Sequence, residues 1–477
     1  MKLDRLNLTQ KIIYNAFFSA GARVVEMALA LVIIRLVAAY LQEKGFGDYT
    51  IVLTFVYIFS VLADLGLYSI VARDISRPGA DEGRIISNAF TLRTVAGLFI
   101  LGSAYFFSLP FPYSDETKAG IAIAAVGYWL LSNLQVLTGL FQKHLRVDKL
   151  ALAEIGGRIV QLSFVWYFVK YDYGFLYIVS AIAFGSLANL ILVLWYASKY
   201  VRIRPSFDFS FWKKLLKESI PLAVAAILVL IYFKLNTIFL SIMKESEAVG
   251  VYGLSFKVME NLIFFPAMIV GLTMPIMSKY VFSDREKFKS IAQRTLDFLI
   301  IAVIPIVFGV IMTSEKIIRL LAPTGFKDSP AILGILMIAL GFIFLGALFS
   351  NIIIVANKQN RLAQIYLAGS VFNVAGNLAF IPKYSYFGAA YTTVATEFLV
   401  TSLMLVVIYR SIGYLPSFKA LYKALAVSLV MAVFLYAFSY LNIFYLVIIG
   451  GLVYVPGIYL IGGISHEEIK KILRREA

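Results

Sequence analysis

Arg23, Arg93 and Lys234 each stand inside an apolar run long enough to cross a bilayer. A charged side chain at bilayer depth costs at least about 2.5–3.5 kcal/mol, so it normally faces a partner or a water-filled cavity. Arg23 is 12 residues past Lys11, about 18 Å along a helix. Arg93 is 9 past Arg84 and Lys234 is 10 before Lys244, about 13 and 15 Å in. Three cations at that depth imply a polar interior suited to an anion. Arg35, only 7 residues before Gln42, can snorkel to the interface as an anchor.

Other charges come at helical spacing. Arg23 with Glu26, Lys257 with Glu260 and Arg294 with Asp297 are i,i+3, and Glu154 with Arg158 is i,i+4, so each pair can touch on one helix face. Near the ends of their spans, Glu154–Arg158 and Arg294–Asp297 read as mutual neutralisation. Arg23–Glu26 and Lys257–Glu260 read as cavity lining. Asp64 and Glu397 have no partner at such spacing; a buried carboxylate can carry a proton, or hold a neighbouring helix by a hydrogen bond. Asn133, Gln135, Asn373 and Asn377 suit interhelical bonding. Pro221, Pro266, Pro275 and Pro305 bend helices, as hinges or as fixed kinks.

The elements that must carry these residues are membrane helices. The chain has 477 residues and is 61% hydrophobic, above the roughly 45–50% of soluble domains. About fourteen windows suit a hydrocarbon core about 30 Å thick, near residues 12–41, 48–71, 85–109, 119–141, 150–169, 174–198, 218–242, 248–277, 292–313, 330–355, 362–382, 386–409, 420–440 and 443–463. The fold class is therefore an all-α polytopic membrane protein. There is no cysteine and only two histidines, His144 and His466, which excludes disulfides, thiolate chemistry and a likeness to transition-metal sites.

The net charge of +16 raises the question of nucleic acid, and its placement answers it. Every second connection is basic, with about 28 Lys and Arg on the side of both termini and about 8 on the other. The positive-inside rule puts both termini in the cytoplasm of a cell-membrane protein. No nucleic-acid partner is expected.

The chain also repeats itself. Tyr40 to Tyr49 and Met243 to Tyr252 both end in Gly-x-Tyr after an acidic loop, and Tyr171-Asp-Tyr-Gly is echoed by Tyr384-Ser-Tyr-Phe-Gly. Spans one to six thus match spans seven to twelve in parallel, with a substrate site expected between them. The expected divisions are residues 1–204, 205–412 and 413–477, the last holding spans thirteen and fourteen. No connection leaves room for a soluble catalytic domain, and no GxxxxGK[ST], HExxH or GxSxG pattern occurs, so an ATPase or hydrolase is not expected.

Three stretches carry a family resemblance. Gly47-Asp-Tyr with Asp64-Leu-Gly-Leu and Arg73, the run Glu315 to Leu333, and Asn373-Val-Ala-Gly-Asn377 with Ile381-Pro-Lys-Tyr and Gly388-Ala-Ala390 resemble the polysaccharide transporters (Wzx-like oligosaccharide flippases) of the MOP flippase superfamily, relatives of the MurJ and MATE branches. The resemblance implies two parallel six-helix lobes around a V-shaped central cavity, plus two extra C-terminal helices. It implies a non-enzymatic flippase that moves a polyisoprenyl-pyrophosphate-linked oligosaccharide from the inner to the outer leaflet. Arg23 stands at the family's cavity-arginine position. In the MurJ branch a sodium site draws on spans seven, eleven and twelve; the matching positions are Asn236, Asn373, Asn377 and Thr393. Asn236 and Asn377 replace expected carboxylates, which disfavours a hard cation, and Ser385 replaces a usual glycine.

On this reading Arg23, Arg93, Lys234 and Lys257, with Glu26 and Glu260, bind the pyrophosphate. Asp64, Glu397, Asn236, Asn373, Asn377 and Thr393 are candidates for ion coupling, to protons, sodium or the membrane potential, and no cofactor is expected. Membrane lipids, and glycosyltransferases or a polymerase of the same pathway, are the other expected partners. The alternatives are a MATE-like multidrug/cation antiporter, whose cavity should be acidic rather than basic, and a membrane-embedded glycan polymerase or ligase.

Overall fold

The computed structural model describes the backbone of residues 8–463, and the side chains within it except those of residues 8–13, 16, 17, 69 and 221–232. His466 and the terminal basic residues lie outside the described residues, as does the side chain of Pro221. Among the described residues there are fourteen helices and no strand.

Two helices are too long for one crossing. α1 (Leu8–Asp64) has 57 residues, and α12 (Gln359–Ile412) has 54. Each would exceed about 80 Å if straight, more than twice the hydrocarbon thickness of about 30 Å. Each is broken where the sequence predicts a loop: α1 at Gln42 (φ 57), α12 at Ser385 (φ 50). The α12 hairpin is proved by a contact across it, Asn373 Nδ2 donating to Thr396 Oγ1 at 3.3 Å. Predicted spans one and two therefore share α1, and eleven and twelve share α12.

The second span is broken again. Leu65 (φ 51) and Gly66 (φ 66) are consecutive left-handed residues, after which α2 (Leu67–Ile75) resumes the path. Then follow α3 (Glu82–Ser108), α4 (Asp115–Lys143), α5 (Val147–Lys170), α6 (Phe175–Ala197) and α7 (Phe209–Met243). The predicted eighth span is two helices, α8 (Ser246–Leu262) and α9 (Phe264–Tyr280). α10 (Arg285–Leu321), α11 (Ser329–Val355), α12, α13 (Lys419–Ala437) and α14 (Ile443–Leu460) complete the chain.

Among the described residues, ten helical segments are long and apolar enough to cross a membrane by length and composition. Predicted span five, in α5, is outside that set because Glu154, Arg158 and Gln161 dilute its apolar residues.

The chain forms two compact units, residues 1–250 and 251–477. In the first, α2 to α7 share a core of Leu67, Val71, Ile86, Leu137, Phe141, Val193 and Trp212. α5 and α6 cross on glycines: a Cβ at Gly157 would come within 2.8 Å of the Gly185 carbonyl oxygen, and the reverse holds equally. Close backbone approach of this kind is how membrane helices gain packing when water supplies no drive. In the second unit α11 is the central element, burying Leu333, Leu336, Leu340, Phe344 and Leu348 between α10 and α12, with α13 and α14 against α10.

Candidate functional site

The break at Leu65–Gly66 frees helix carbonyls from their intrahelical bonds, and a buried one left unsatisfied costs free energy. Arg93 of α3 supplies the donors. Its Nη1 donates to the Asp64 carbonyl oxygen at 3.2 Å and to the Asp64 carboxylate, and its Nη2 donates to Gln135 Oε1 of α4 at 2.8 Å. The Arg93 side chain is wholly buried and that of Asp64 is 25% exposed. Two residues expected in different roles, one toward substrate and one toward an ion, therefore form one ion pair. Asn133, expected to bond a neighbouring helix, accepts from Thr94 of α3 at 2.8 Å.

The other cations are placed differently. Arg23 Nη1 lies 3.0 Å from Glu26 Oε2, with the arginine side chain 49% exposed and the glutamate 11%. Glu26 is also in a carboxyl–carboxyl hydrogen bond with Glu154 of α5, within electrostatic range of Arg23 and Arg158. Arg158 itself donates to Gln161 at 3.0 Å. The simple Glu154–Arg158 pairing read from spacing thus becomes part of a cluster of four ionisable side chains between α1 and α5. Lys234 of α7 is buried, with its Nζ 5.3 Å from the centroid of Tyr57, a cation–π distance. In the second unit Lys257 Nζ lies 2.8 Å from Glu260 Oε2, both partly exposed. Asp297, expected to pair with Arg294, accepts from Gln293 at 2.8 Å.

A buried polar column runs through the α12 hairpin. Asn377 Nδ2 donates to Asn373 Oδ1 at 2.7 Å, Asn373 reaches Thr396, and Thr393 donates to the Ala389 carbonyl at 2.8 Å while facing Tyr252 OH of α8 at 3.2 Å. Asn373, Asn377, Thr393 and Glu397 are all buried. Asn236 is buried in the first unit. A sodium ion wants several oxygen lone pairs directed at it, anionic ones preferably. Here the Asn373 oxygen is engaged by the Asn377 amide and Thr393 is bound to backbone and tyrosine. Among the described residues no group of three or more acidic or metal-ligating side chains occurs. The Asn373–Thr396 contact ties the two arms of the hairpin together, and Thr393 ties it to α8.

One group that composition and spacing did not single out is the Asp48 carboxylate. At the Gln42 end of the first unit its Oδ1 accepts from Thr117 Oγ1 at 2.9 Å and from Ser246 Oγ at 2.7 Å, joining α1, α4 and α8. Beside it Gly47 and Gly250 come together: a Cβ on Gly47 would overlap the Ser246 carbonyl, and one on Gly250 the Glu43 carbonyl. The two glycines are those of the matched Gly-x-Tyr repeats, so the internal repeat was the available signal for the contact.

The comparisons with known proteins agree with this architecture. Residues 12–281 match the family described as "Polysaccharide biosynthesis protein". No curated relative matches by sequence. Among solved structures the chain is similar to the lipid II flippase MurJ in an inward closed conformation, with TM-score 0.73 and 16% identity over 94% of this chain and 98% of that one. It is similar to an inward-facing multidrug resistance MATE transporter of the MOP superfamily (TM-score 0.64, 13% identity, 83% and 97% covered). A MOP superfamily transporter from Pyrococcus furiosus, noted for the reverse polarity of its binding pocket, is also similar (TM-score 0.61, 14% identity, 85% and 97% covered).

Proposed function

This chain belongs to the polysaccharide biosynthesis protein family of the MOP flippase superfamily, and from that premise we propose that it is a flippase for a polyisoprenyl-pyrophosphate-linked oligosaccharide. The observation that carries the substrate class is the state of the Arg23 guanidinium. It lies at membrane depth by position in α1, is half exposed, and contacts Glu26 at 3.0 Å. An incoming pyrophosphate offers more anionic oxygens than one carboxylate and competes for it by charge-assisted hydrogen bonds. Lys257, paired with Glu260 and 28% exposed, is a second cation of the same kind. Arg93 and Lys234 are buried and support the path rather than bind first.

The physical task is to carry a headgroup with about two negative charges through hydrocarbon, where an unpaired ion is prohibitive. Cavity cations substitute for its water, the polyprenyl tail stays in lipid, and rocking of parallel repeats changes the side to which the headgroup is open. Movement runs from the leaflet where the lipid-linked sugar is made, with both termini on that side. Coupling is proposed to be to protons, with Glu397, the buried acid of the second unit among the described residues, as the carrier.

The test is lipid-linked oligosaccharide translocation in proteoliposomes with Arg23→Ala, Lys257→Ala and the double variant. Loss of translocation with normal folding supports the reading. Wild-type rates in the double variant overturn it. A multidrug exporter would instead transport organic cations, and its cavity would repel the pyrophosphate that these residues attract.

A further inference from the structure

Between α6 and α7 the chain is neither helix nor strand over residues 201–208, yet it is held at three points. The backbone N–H groups of Arg204, Ser206 and Asp208 donate to Ser87 Oγ, Thr91 Oγ1 and Asn88 Oδ1 of α3 at 3.2, 3.0 and 3.1 Å. Alternate amides of an extended segment are thus read by one face of a helix. The inner side of the segment and of the first turns of α7 enters the core through Val201, Trp212 and Leu215.

The outer side is different. Arg202, Arg204, Lys213, Lys214 and Lys217 are all exposed. The nearby acids are engaged elsewhere: Asp208 with Arg84 at 2.8 Å and Glu218 with Arg73 at 2.5 Å. Phe207 and Phe209 are 58% and 70% exposed and flank Trp212 at ring distances of 5.8 and 5.2 Å. Topology signalling requires only that the charges lie on one side of the membrane. It does not require an ordered strap with two aromatic rings turned outward.

We propose that this strap is a binding surface for the anionic phospholipid headgroups of the adjacent leaflet, with Phe207 and Phe209 entering the interface between the cations. α6, long and apolar enough to cross a membrane, ends at the strap, which sets it at headgroup level. The extended part from Arg202 to Asp208 covers about 20 Å, and the helical part from Phe209 to Lys217 about 12 Å more. A single pyrophosphate is only a few ångströms across, whereas a row of headgroups matches that spread. Basic residues beside aromatic ones are the composition that holds amphipathic segments to anionic surfaces. Because Ser87, Asn88 and Thr91 grip the strap, lipid binding there also fixes the start of α3, the helix that carries Arg93.

The experiment is native mass spectrometry of the full chain released from nanodiscs of mixed phosphatidylglycerol and phosphatidylcholine. Both leaflets have the same composition, so orientation does not enter. The wild type should retain phosphatidylglycerol preferentially, and added salt should weaken the preference. Lys213→Gln/Lys214→Gln/Lys217→Gln should lower it by up to roughly fivefold per cation removed, and Arg202→Gln/Arg204→Gln should do so independently. An unchanged lipid ratio in both variants would reduce the cations to topology signals and overturn the proposal. So would variants that keep the lipid ratio but lose binding of inorganic pyrophosphate, since the cations would then serve the transported headgroup.

Discussion

Arg93 sits against Asp64 where the second span stops being helical, and it answers both the carboxylate and the backbone carbonyl of that residue. A lysine could offer the charge but not the planar fork that also reaches Gln135. Arg93→Ala should therefore destabilise the fold by about 1–3 kcal/mol, because it takes the donors away from the Asp64 carbonyl and its partly buried carboxylate. Thermal unfolding in detergent measures this. The pair Arg93→Met/Asp64→Leu should recover much of the loss, since apolar replacement of both partners removes the orphaned charge. A wild-type midpoint for Arg93→Ala would remove the pair's structural role.

The close approach of Gly47 and Gly250 admits no side chain. Gly47→Val should push α1 and the start of α8 apart, at a cost of about 1–3 kcal/mol for overpacking. Since the chain has no cysteine, a single one placed at the buried Thr50 gives a clean labelling readout. Maleimide labelling of Thr50→Cys should rise roughly tenfold in the Gly47→Val background, the factor that about 1.4 kcal/mol gives. Equal rates in both backgrounds would contradict the contact.

In the column the Asn373 oxygen and the Thr393 hydroxyl are already engaged, so translocation should be unchanged when sodium is replaced by potassium on both sides of the vesicle. Asn377→Ala should cost stability, about 1 kcal/mol or somewhat more for a broken buried hydrogen bond, without altering that ion indifference. A strict sodium requirement would mean that the column opens to ligate an ion.

The strap carries its own pH dependence. The guanidinium of Arg84, hydrogen-bonded to Asp208, holds its carboxyl below the usual carboxylate range, helped by the Phe211 amide. A depressed folded-state value means the contribution is present above the unfolded value, near about 3.9, and is lost as pH falls through the folded one. The protection factors of the Arg204, Ser206 and Asp208 amides against hydrogen exchange should hold down to mildly acidic pH and drop below that window. Asp208→Asn should abolish the step. Protection factors that are flat with pH in the wild type would count against the Arg84–Asp208 pair as an anchor.

The membrane helices were legible because apolar length alone selects them, and the turns at Gln42 and Ser385 were visible as short polar interruptions. Asn373 bonds across the hairpin to Thr396, as its reading as a helix-joining amide suggests, whereas its i,i+4 contact with Asn377 was not read from the sequence. What could not be read was anything decided between helices. Asp64 and Arg93 are 29 positions apart, and a leucine at positive φ leaves no compositional mark, so neither the break nor its partner was foreseeable. Glu154 had a cation one turn away, but its α1 neighbour Glu26 took the hydrogen bond. Spacing along one helix ranks local partners; packing then offers nearer ones.

The break at Leu65–Gly66 has a mechanical side. α2 is bound to its surroundings by Lys143, which donates to the Ile75 carbonyl at 2.5 Å, and by the core it shares with α4, while the stretch before Asp64 belongs to the long α1 hairpin. The second span is therefore a pinned elbow rather than a rod. Both arms of the elbow rest on α4, the upper one through Asp48 and Thr117 near Gln42 and the lower one through the α2 core, so the bend is braced at either end.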